Sequence, residues 1–107
     1  MTLISVILIP FLFSCATTQQ QQVESIILNS NRAIELNPKD PIAYNNRGYA
    51  KRIKGDNDGV IADCTEAINL DPRCENAYKN RAAARRAKGD NEGAIADTAE
   101  AIRLGQK

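Results

Sequence analysis

An internal repeat constrains the fold of this chain more than any other feature of its sequence, because the pattern that begins at Pro41 begins again at Glu75. Residues 41–72 align without gaps with residues 75–106, and more than half of the aligned positions are identical. The back half of a third copy lies upstream, because the motif AIELNP at residues 33–38 precedes AINLDP at residues 67–72 by 34 residues, the same distance that separates Pro41 from Glu75. Repeats about 20 to 50 residues long form stacked supersecondary units, so the sequence predicts a short stack of such units.

Each copy contains two amphipathic stretches joined by a turn. The second stretch carries apolar residues at a spacing that only a helix gathers on one face: Val60, Ile61, Cys64, Ala67 and Ile68. The first stretch has Tyr44 and then Gly48, whose small size allows a second helix to approach closely. Between the stretches, KGDNDG and KGDNEG supply a glycine that ends one helix and polar residues that cap the next. Pro38 and Pro72 close the copies, where a helix must end, so each copy is predicted to be a helical hairpin.

The composition excludes several classes of protein. Hydrophobic residues make up 43% and charged residues 25% of the chain, near the average of globular domains, which excludes wholesale disorder. The chain has no histidine, so Ser-His-Asp and Cys-His catalytic arrangements and imidazole-bound zinc or copper are impossible. A net charge of +1 favours no nucleic-acid partner. The loop DNDG lacks the first acidic ligand and the final glutamate of a calcium loop. From these observations together we expect no enzymatic activity, no metal and no cofactor.

The stretch AYNNRGYAKRIKGDNDGVIADCTEAINLDP has an aromatic residue, a glycine four residues later, a loop glycine, the alanine of AI and a closing proline. It therefore resembles the tetratricopeptide repeat, a helix-turn-helix unit of about 34 residues. The resemblance covers residues 23–107 and implies an all-α solenoid of five helices, about two and a half repeats, made of a half repeat (23–37) and two repeats (41–72 and 75–106). The chain departs from the family pattern at Ala82, which replaces the glycine, and at Cys64 and Thr98, which replace an aromatic residue.

Residues 1–14 are predicted to be a signal peptide that takes the place of the first copy's front helix. They are mostly apolar, too few to span a membrane, and the polar tract ATTQQQQ follows. The sequence LFSC at residues 12–15 resembles the lipobox of bacterial lipoproteins, which implies that Cys15 is lipidated and anchors the protein in the cell envelope, with residues 15–22 as a polar linker. No lysine or arginine precedes the apolar run, so a plain signal, a membrane-proximal anchor and a cytoplasmic chain with a misassigned start stay open.

The resemblance further implies a groove, lined by the first helix of each repeat, that receives a segment of a partner protein. The side chains that would line it offer amides, one aromatic ring and three positive charges: Asn45, Asn46, Tyr49, Arg52, Asn76, Lys79, Asn80 and Arg86. Such a surface suits an acidic peptide. The family's carboxylate clamp for chaperone tails is not matched, because Asn45 and Tyr49 stand where its lysine and asparagine belong. The predicted function is a non-catalytic protein–protein interaction module tethered to a bacterial membrane.

Charge alternates between the predicted helices. Residues 41–54 carry only basic charged side chains, and residues 58–71 carry only acidic ones. Helix dipoles and ion pairs between neighbouring helices both favour this arrangement. Asp63 and Asp97 recur at the same position of the repeat, each with a glutamate three residues on, and we expect them to face solvent or a neighbouring arginine.

Neither end of the stack has a predicted polar capping helix, although repeat stacks usually need one. Both ends are therefore expected to expose apolar surface. Two alternatives to groove binding follow from this expectation. The chain is either a scaffold component that forms homo-oligomers through its ends, or a fragment of a longer repeat protein.

Overall fold

The computed structural model describes the backbone of residues 2–106 and the side chains of residues 18–106. It contains five helices: α1 (Thr2–Leu36), α2 (Pro41–Ile53), α3 (Asn57–Leu70), α4 (Glu75–Ala87) and α5 (Asn91–Gly105). No strand occurs within residues 2–106, so the predicted all-α fold is confirmed. The start of α4 follows the start of α2 by one sequence repeat, as the start of α5 follows that of α3, and the sequence repeat is therefore also a structural repeat.

The loops between paired helices end one helix and begin the next, as their sequence predicts. Before α3, the Asp56 carboxylate accepts a hydrogen bond of 3.0 Å from the backbone N–H of Gly59. Gly55 has a φ of 80°, in the left-handed region where a side chain would be strained. Asp90 and Gly89 repeat both features before α5.

The helices stack in chain order as successive hairpins. Each helix packs against the helices that precede and follow it, and α2 also contacts α4, so the first helices of the two complete repeats lie side by side. The centre of the core lies between α3 and α4 and is built from small side chains: Val60, Cys64, Ala67, Ala77 and Ala84. Five helices in this arrangement form a solenoid of about two and a half helical hairpins.

Gly48 brings α2 into close contact with α3. A Cβ at this position would lie 3.1 Å from Cys64 Sγ and 3.4 Å from the Cβ of Asp63. Interiors packed at this density have no room for an added methyl group unless a neighbour shifts. The close approach predicted from the small residue at this position is confirmed.

Helix α1 is continuous from Thr2 to Leu36, so the backbone of the predicted linker, residues 15–22, is helical. Val23 is the first buried side chain among those described, and the side chains of residues 18–22 are exposed. The side chains of the predicted signal peptide and of Cys15 lie outside the described residues, and the domain boundaries remain a prediction. Within the described part of the chain, no helix has both the length and the apolar character needed to cross a membrane.

Candidate partner-binding groove

A shallow recess lies between α2 and α4, at the place where the sequence predicts a binding groove. It has a volume of about 370 Å³ and is lined by six of the eight predicted residues: Asn45, Asn46, Tyr49, Asn76, Lys79 and Asn80. The recess forms because α2 and α4 lie side by side and present the same faces one repeat apart. We call it the α2–α4 groove.

Four asparagines give the groove its polar character. Asn80 Nδ2 donates a hydrogen bond of 3.1 Å to Asn45 Oδ1, which links the two helices across the groove floor. Asn46 and Asn76 also line the recess. Each amide has both a donor and an acceptor, the pair of functions that an extended peptide backbone also presents. The groove can therefore hydrogen-bond a main chain without reading a particular side chain.

Tyr49 supplies the aromatic surface of the groove and is 43% exposed. The Arg52 guanidinium lies over its ring, 5.2 Å from the centroid, in a cation–π contact. Arg52 does not line the recess itself, but this contact holds its positive charge at the edge of the groove.

The groove is less positive than the sequence indicates. Lys79 Nζ lies 2.5 Å from the Glu75 carboxylate one turn earlier in α4, so the nearest cation already has an anionic neighbour. Arg86 lines a different recess, on the exposed side of α5. Of the three predicted cations, the structure thus places one in the groove, one at its edge and one elsewhere.

A partly buried cluster around Arg47 holds α2 against α1 and α3. The Arg47 guanidinium donates two hydrogen bonds to Asp63, of 2.9 and 2.7 Å, and a third of 2.9 Å to Asn31 Oδ1. Lys51 Nζ lies 3.0 Å from the same carboxylate. Because Asn31 lies in α1 and Asp63 in α3, one arginine ties three helices together. Hydrogen bonding to Asp63 raises the pKa of Arg47.

The same cluster recurs one repeat later around Arg81. Arg81 donates hydrogen bonds of 2.9 and 2.8 Å to Asp97 and one of 3.1 Å to Thr65 Oγ1, and Arg85 donates to Asp97 at 2.8 Å. Hydrogen bonding to Asp97 raises the pKa of Arg81. We call the two sets the Arg47 cluster and the Arg81 cluster.

These clusters decide between two expectations from the sequence. Asp63 and Asp97 are 4% and 3% exposed, so they do not face solvent. They face neighbouring arginines, which is one of the two orientations that the sequence predicts. The sequence does not predict which arginines pair with these aspartates, nor the further hydrogen bonds to Asn31 and Thr65. The signal that would have found them is an arginine sixteen residues before the aspartate in both copies.

Cys64 lies in the core, as its position on the apolar stripe predicts, and is completely buried. Burial raises the pKa of its thiol to about 12. A protonated, inaccessible thiol is neither a nucleophile nor a ligand, and Cys64 is therefore a packing residue.

Comparison with known proteins identifies the architecture. A family model described as tetratricopeptide repeat matches residues 30–61. The Arabidopsis OM64 TPR domain superposes with a TM-score of 0.77 at 28% sequence identity, covering 83% of this chain and 74% of that one. No curated protein matches the sequence.

Two further solved structures resemble the chain, and both contain a peptide. The first TPR of Spaghetti (RPAP3), bound to the HSP90 peptide SRMEEVD, has a TM-score of 0.77 and 25% identity, covering 81% of this chain and 69% of that one. The second TPR of Spaghetti, bound to the same peptide, has a TM-score of 0.77 and 25% identity and covers 83% of this chain and 82% of its own. The helical stack thus has the geometry of domains in which a peptide has been seen bound.

Proposed function

This chain is a tetratricopeptide-repeat protein, and we propose that it acts as a non-catalytic interaction module whose α2–α4 groove holds an extended segment of a partner protein. One observation carries the proposal: four asparagines, an exposed tyrosine and a lysine converge in one open recess on two adjacent first helices. Two structurally similar domains are bound to a peptide of another protein, which supports the same class of function.

The chemistry of the groove favours a segment recognised mainly through its backbone. The four asparagine amides pair with peptide N–H and C=O groups, and the Tyr49 ring supplies apolar contact. Lys79 inside the groove and Arg52 at its edge favour acidic side chains in the segment. Asn45 and Tyr49 replace the clamp residues for a terminal carboxylate, so we propose an internal acidic segment and not a chain terminus.

Selection from a random peptide library displayed on phage tests this proposal. The full chain should enrich acidic peptides, and their affinity in fluorescence anisotropy should fall about tenfold in the double variant Asn45→Ala and Asn80→Ala, which removes two amides. Glu66→Ala is the matched control, because Glu66 is exposed on α3 away from the groove. Peptides that bind the double variant as tightly as the unchanged chain would rule out the groove as the binding site.

The proposed address is the membrane of the bacterial cell envelope, with lipidated Cys15 as the anchor and residues 15–22 as the linker. The support is the LFSC motif at the end of an apolar run. In a bacterial host, a clickable palmitate analogue should label the unchanged chain and Cys74→Ser but not Cys15→Ser. Equal labelling of all three chains, or of none, contradicts the anchor.

Self-association through the ends of the stack is the second candidate function. It is favoured by large apolar side chains that are exposed at both ends: Leu28 and Leu36 on α1, and Ile95 and Ile102 on α5. Sedimentation velocity at micromolar concentration distinguishes this scaffold role from groove binding, because a strict monomer excludes it.

A further inference from the structure

The outer side of α5 carries an apolar recess that the groove does not use. Its volume is about 250 Å³, and its lining is Arg86, Ile95, Thr98, Ala99 and Ile102. Ile95 and Ile102 are 67% and 57% exposed. Thr98 Oγ1 donates to the carbonyl oxygen of Ala94 at 2.8 Å, so its hydroxyl is satisfied within α5. We call this surface the α5 face.

The interior of the molecule shows what covers such a face. One repeat earlier, Ile61 and Ile68 occupy the positions of Ile95 and Ile102, and both are only partly exposed. They pack against the core that α4 completes with small side chains such as Ala77. The structural repeat therefore predicts that a helix with a small-residue face fits on α5 in the same way.

An acidic residue marks the same register on three successive second helices. Glu24 on α1 pairs with Lys54 at 2.8 Å, and Asp58 on α3 pairs with Lys88, so each acid receives a cation from the end of the following first helix. Glu92 occupies the equivalent position on α5. Within residues 18–106, Glu92 makes no ion pair. By the same register, a helix that packs on the α5 face can place a lysine or arginine beside Glu92, as α2 and α4 do for Glu24 and Asp58.

Ala99 distinguishes the hydrogen bonding of the α5 face from that of its interior equivalents. Asn31 on α1 and Thr65 on α3 each accept a hydrogen bond from the arginine of the next first helix. The equivalent residue on α5 is Ala99, which has no side-chain acceptor. An arginine placed there would lose this bond inside the interface, which is costly for a buried donor. A second copy of α2 or α4 brings such an arginine and is therefore a poorer occupant than a helix without one.

We propose that the α5 face docks an amphipathic helix of a partner protein that presents small side chains to Ile95 and Ile102, lacks the buried arginine, and places a lysine or arginine beside Glu92. The helix extends the internal stacking by one element and does not enter the α2–α4 groove. This docking is independent of the proposed groove function, and it is the alternative to self-association through α5, the second candidate function.

A helical peptide derived from α4 tests the proposal directly. The probe is a peptide of residues 75–88 that carries Arg81→Ala. A side-chain cross-link between positions 76 and 80 holds it helical, and these positions are chosen because they line the groove in the full chain. In fluorescence anisotropy it should bind the full chain. Glu92→Lys should weaken binding about fivefold, because it reverses an exposed ion pair. The double variant Ile95→Asp and Ile102→Asp should abolish binding.

Two controls separate the α5 face from other surfaces. Leu28→Asp changes an exposed apolar residue at the opposite end of the stack, and Asn45→Ala with Asn80→Ala changes the groove, so neither should alter binding. The circular dichroism of each variant checks that it is folded. Ala99→Thr supplies the missing acceptor and should strengthen binding of a second peptide that keeps Arg81.

Three outcomes overturn the proposal. The first is no binding of the probe by the folded chain, and the second is binding that the α5 variants leave unchanged. The third is a dimer in sedimentation velocity that Ile95→Asp abolishes, which would make a second copy of the chain the occupant.

Discussion

At the scale of single residues, the contact between Gly48 and Cys64 sets the distance between α2 and α3. Gly48 has no side chain, and Cys64 Sγ lies 3.1 Å from where its Cβ would be. Both residues are buried, so neither can move toward solvent to relieve a clash. Alanine is the better helix former by about 1 kcal/mol, and the packing therefore opposes the local propensity.

We predict that Gly48→Ala destabilises the protein by about 1–2 kcal/mol, because overpacking in a rigid core exceeds the gain in helix propensity. Urea unfolding followed by circular dichroism measures the change. In a Cys64→Ala background the sulfur is gone, and Gly48→Ala should then stabilise the chain. The same sign in both backgrounds would show that the two residues are not coupled.

Cys64 also makes stability depend on pH. Burial raises the pKa of its thiol from 9.0 to about 12, so at alkaline pH the unfolded chain loses a proton that the folded chain keeps. The protonated Cys64 thiol therefore contributes its full stabilisation below pH 9, and this contribution is lost as the pH rises toward 12. At pH 10 we expect a loss of about 1 kcal/mol in the free energy of unfolding relative to pH 8.

The measurement is urea unfolding at pH 8, 9 and 10, with Cys64→Ala as the reference for all other groups that titrate in this range. The unchanged chain should lose more stability than Cys64→Ala. Parallel pH profiles would mean that the thiol ionises as readily in the folded state as in the unfolded one.

At the scale of helices, the Arg47 and Arg81 clusters fix how each first helix sits between two second helices. Asp63 is buried, accepts two hydrogen bonds from Arg47 and forms an ion pair with Lys51, so its removal leaves two cations without their anion. Breaking a buried pair from one side costs about 3–5 kcal/mol, and a smaller cost applies here because Arg47 is partly exposed.

We therefore predict that Asp63→Ala lowers the free energy of unfolding by about 2–3 kcal/mol. Glu66→Ala, three residues on and exposed, should change it by less than about 0.5 kcal/mol. Chemical unfolding of both variants gives the comparison. If the two substitutions cost the same, the Arg47 cluster is not a structural determinant.

The helices show why some features could be predicted from the sequence and others could not. The turns at Gly55 and Gly89 and the caps at Asp56 and Asp90 depend on residues within one loop, and the local sequence is sufficient for them. The pairing of Arg47 with Asp63 depends on the angle between α2 and α3, which no local pattern specifies.

The same distinction applies to the candidate site. The repeat places six groove residues in register, because α2 and α4 present equivalent faces. The position of Arg86 follows instead from the direction of a long side chain near the end of α4, and the structure places it at the α5 face. The ion pair between Lys79 and Glu75 likewise reduces the positive charge that the groove presents to a partner. A count of charged residues along the sequence does not show this pairing.

At the scale of the whole molecule, stability is distributed unevenly along the stack. The core centres on α3 and α4, which have packed neighbours on both sides, whereas α1 and α5 each pack against a single helix. In repeat proteins each unit is stabilised by its own packing and by its nearest neighbours. The two ends of the stack should therefore open more readily than its centre.

Native-state hydrogen exchange should show this gradient. We predict the slowest amide exchange in α3 and α4, and faster exchange in α5 and in the part of α1 that follows Val23, because fewer contacts hold these helices. Mass spectrometry of peptic fragments gives the resolution required. Equal protection across all five helices would indicate a single cooperative unit.

The alanine at position 99 has a consequence for protein engineering. A further hairpin of the same sequence pattern, added after Leu104, would place its arginine opposite the methyl group of Ala99. Asn31 and Thr65, at the equivalent positions, each accept a hydrogen bond from the arginine of the next helix. In an array lengthened by simple concatenation, the interface between α5 and the added hairpin should therefore be less stable than the interfaces within this chain. Ala99→Thr should restore the hydrogen bond, so that the added hairpin folds cooperatively with the rest of the stack.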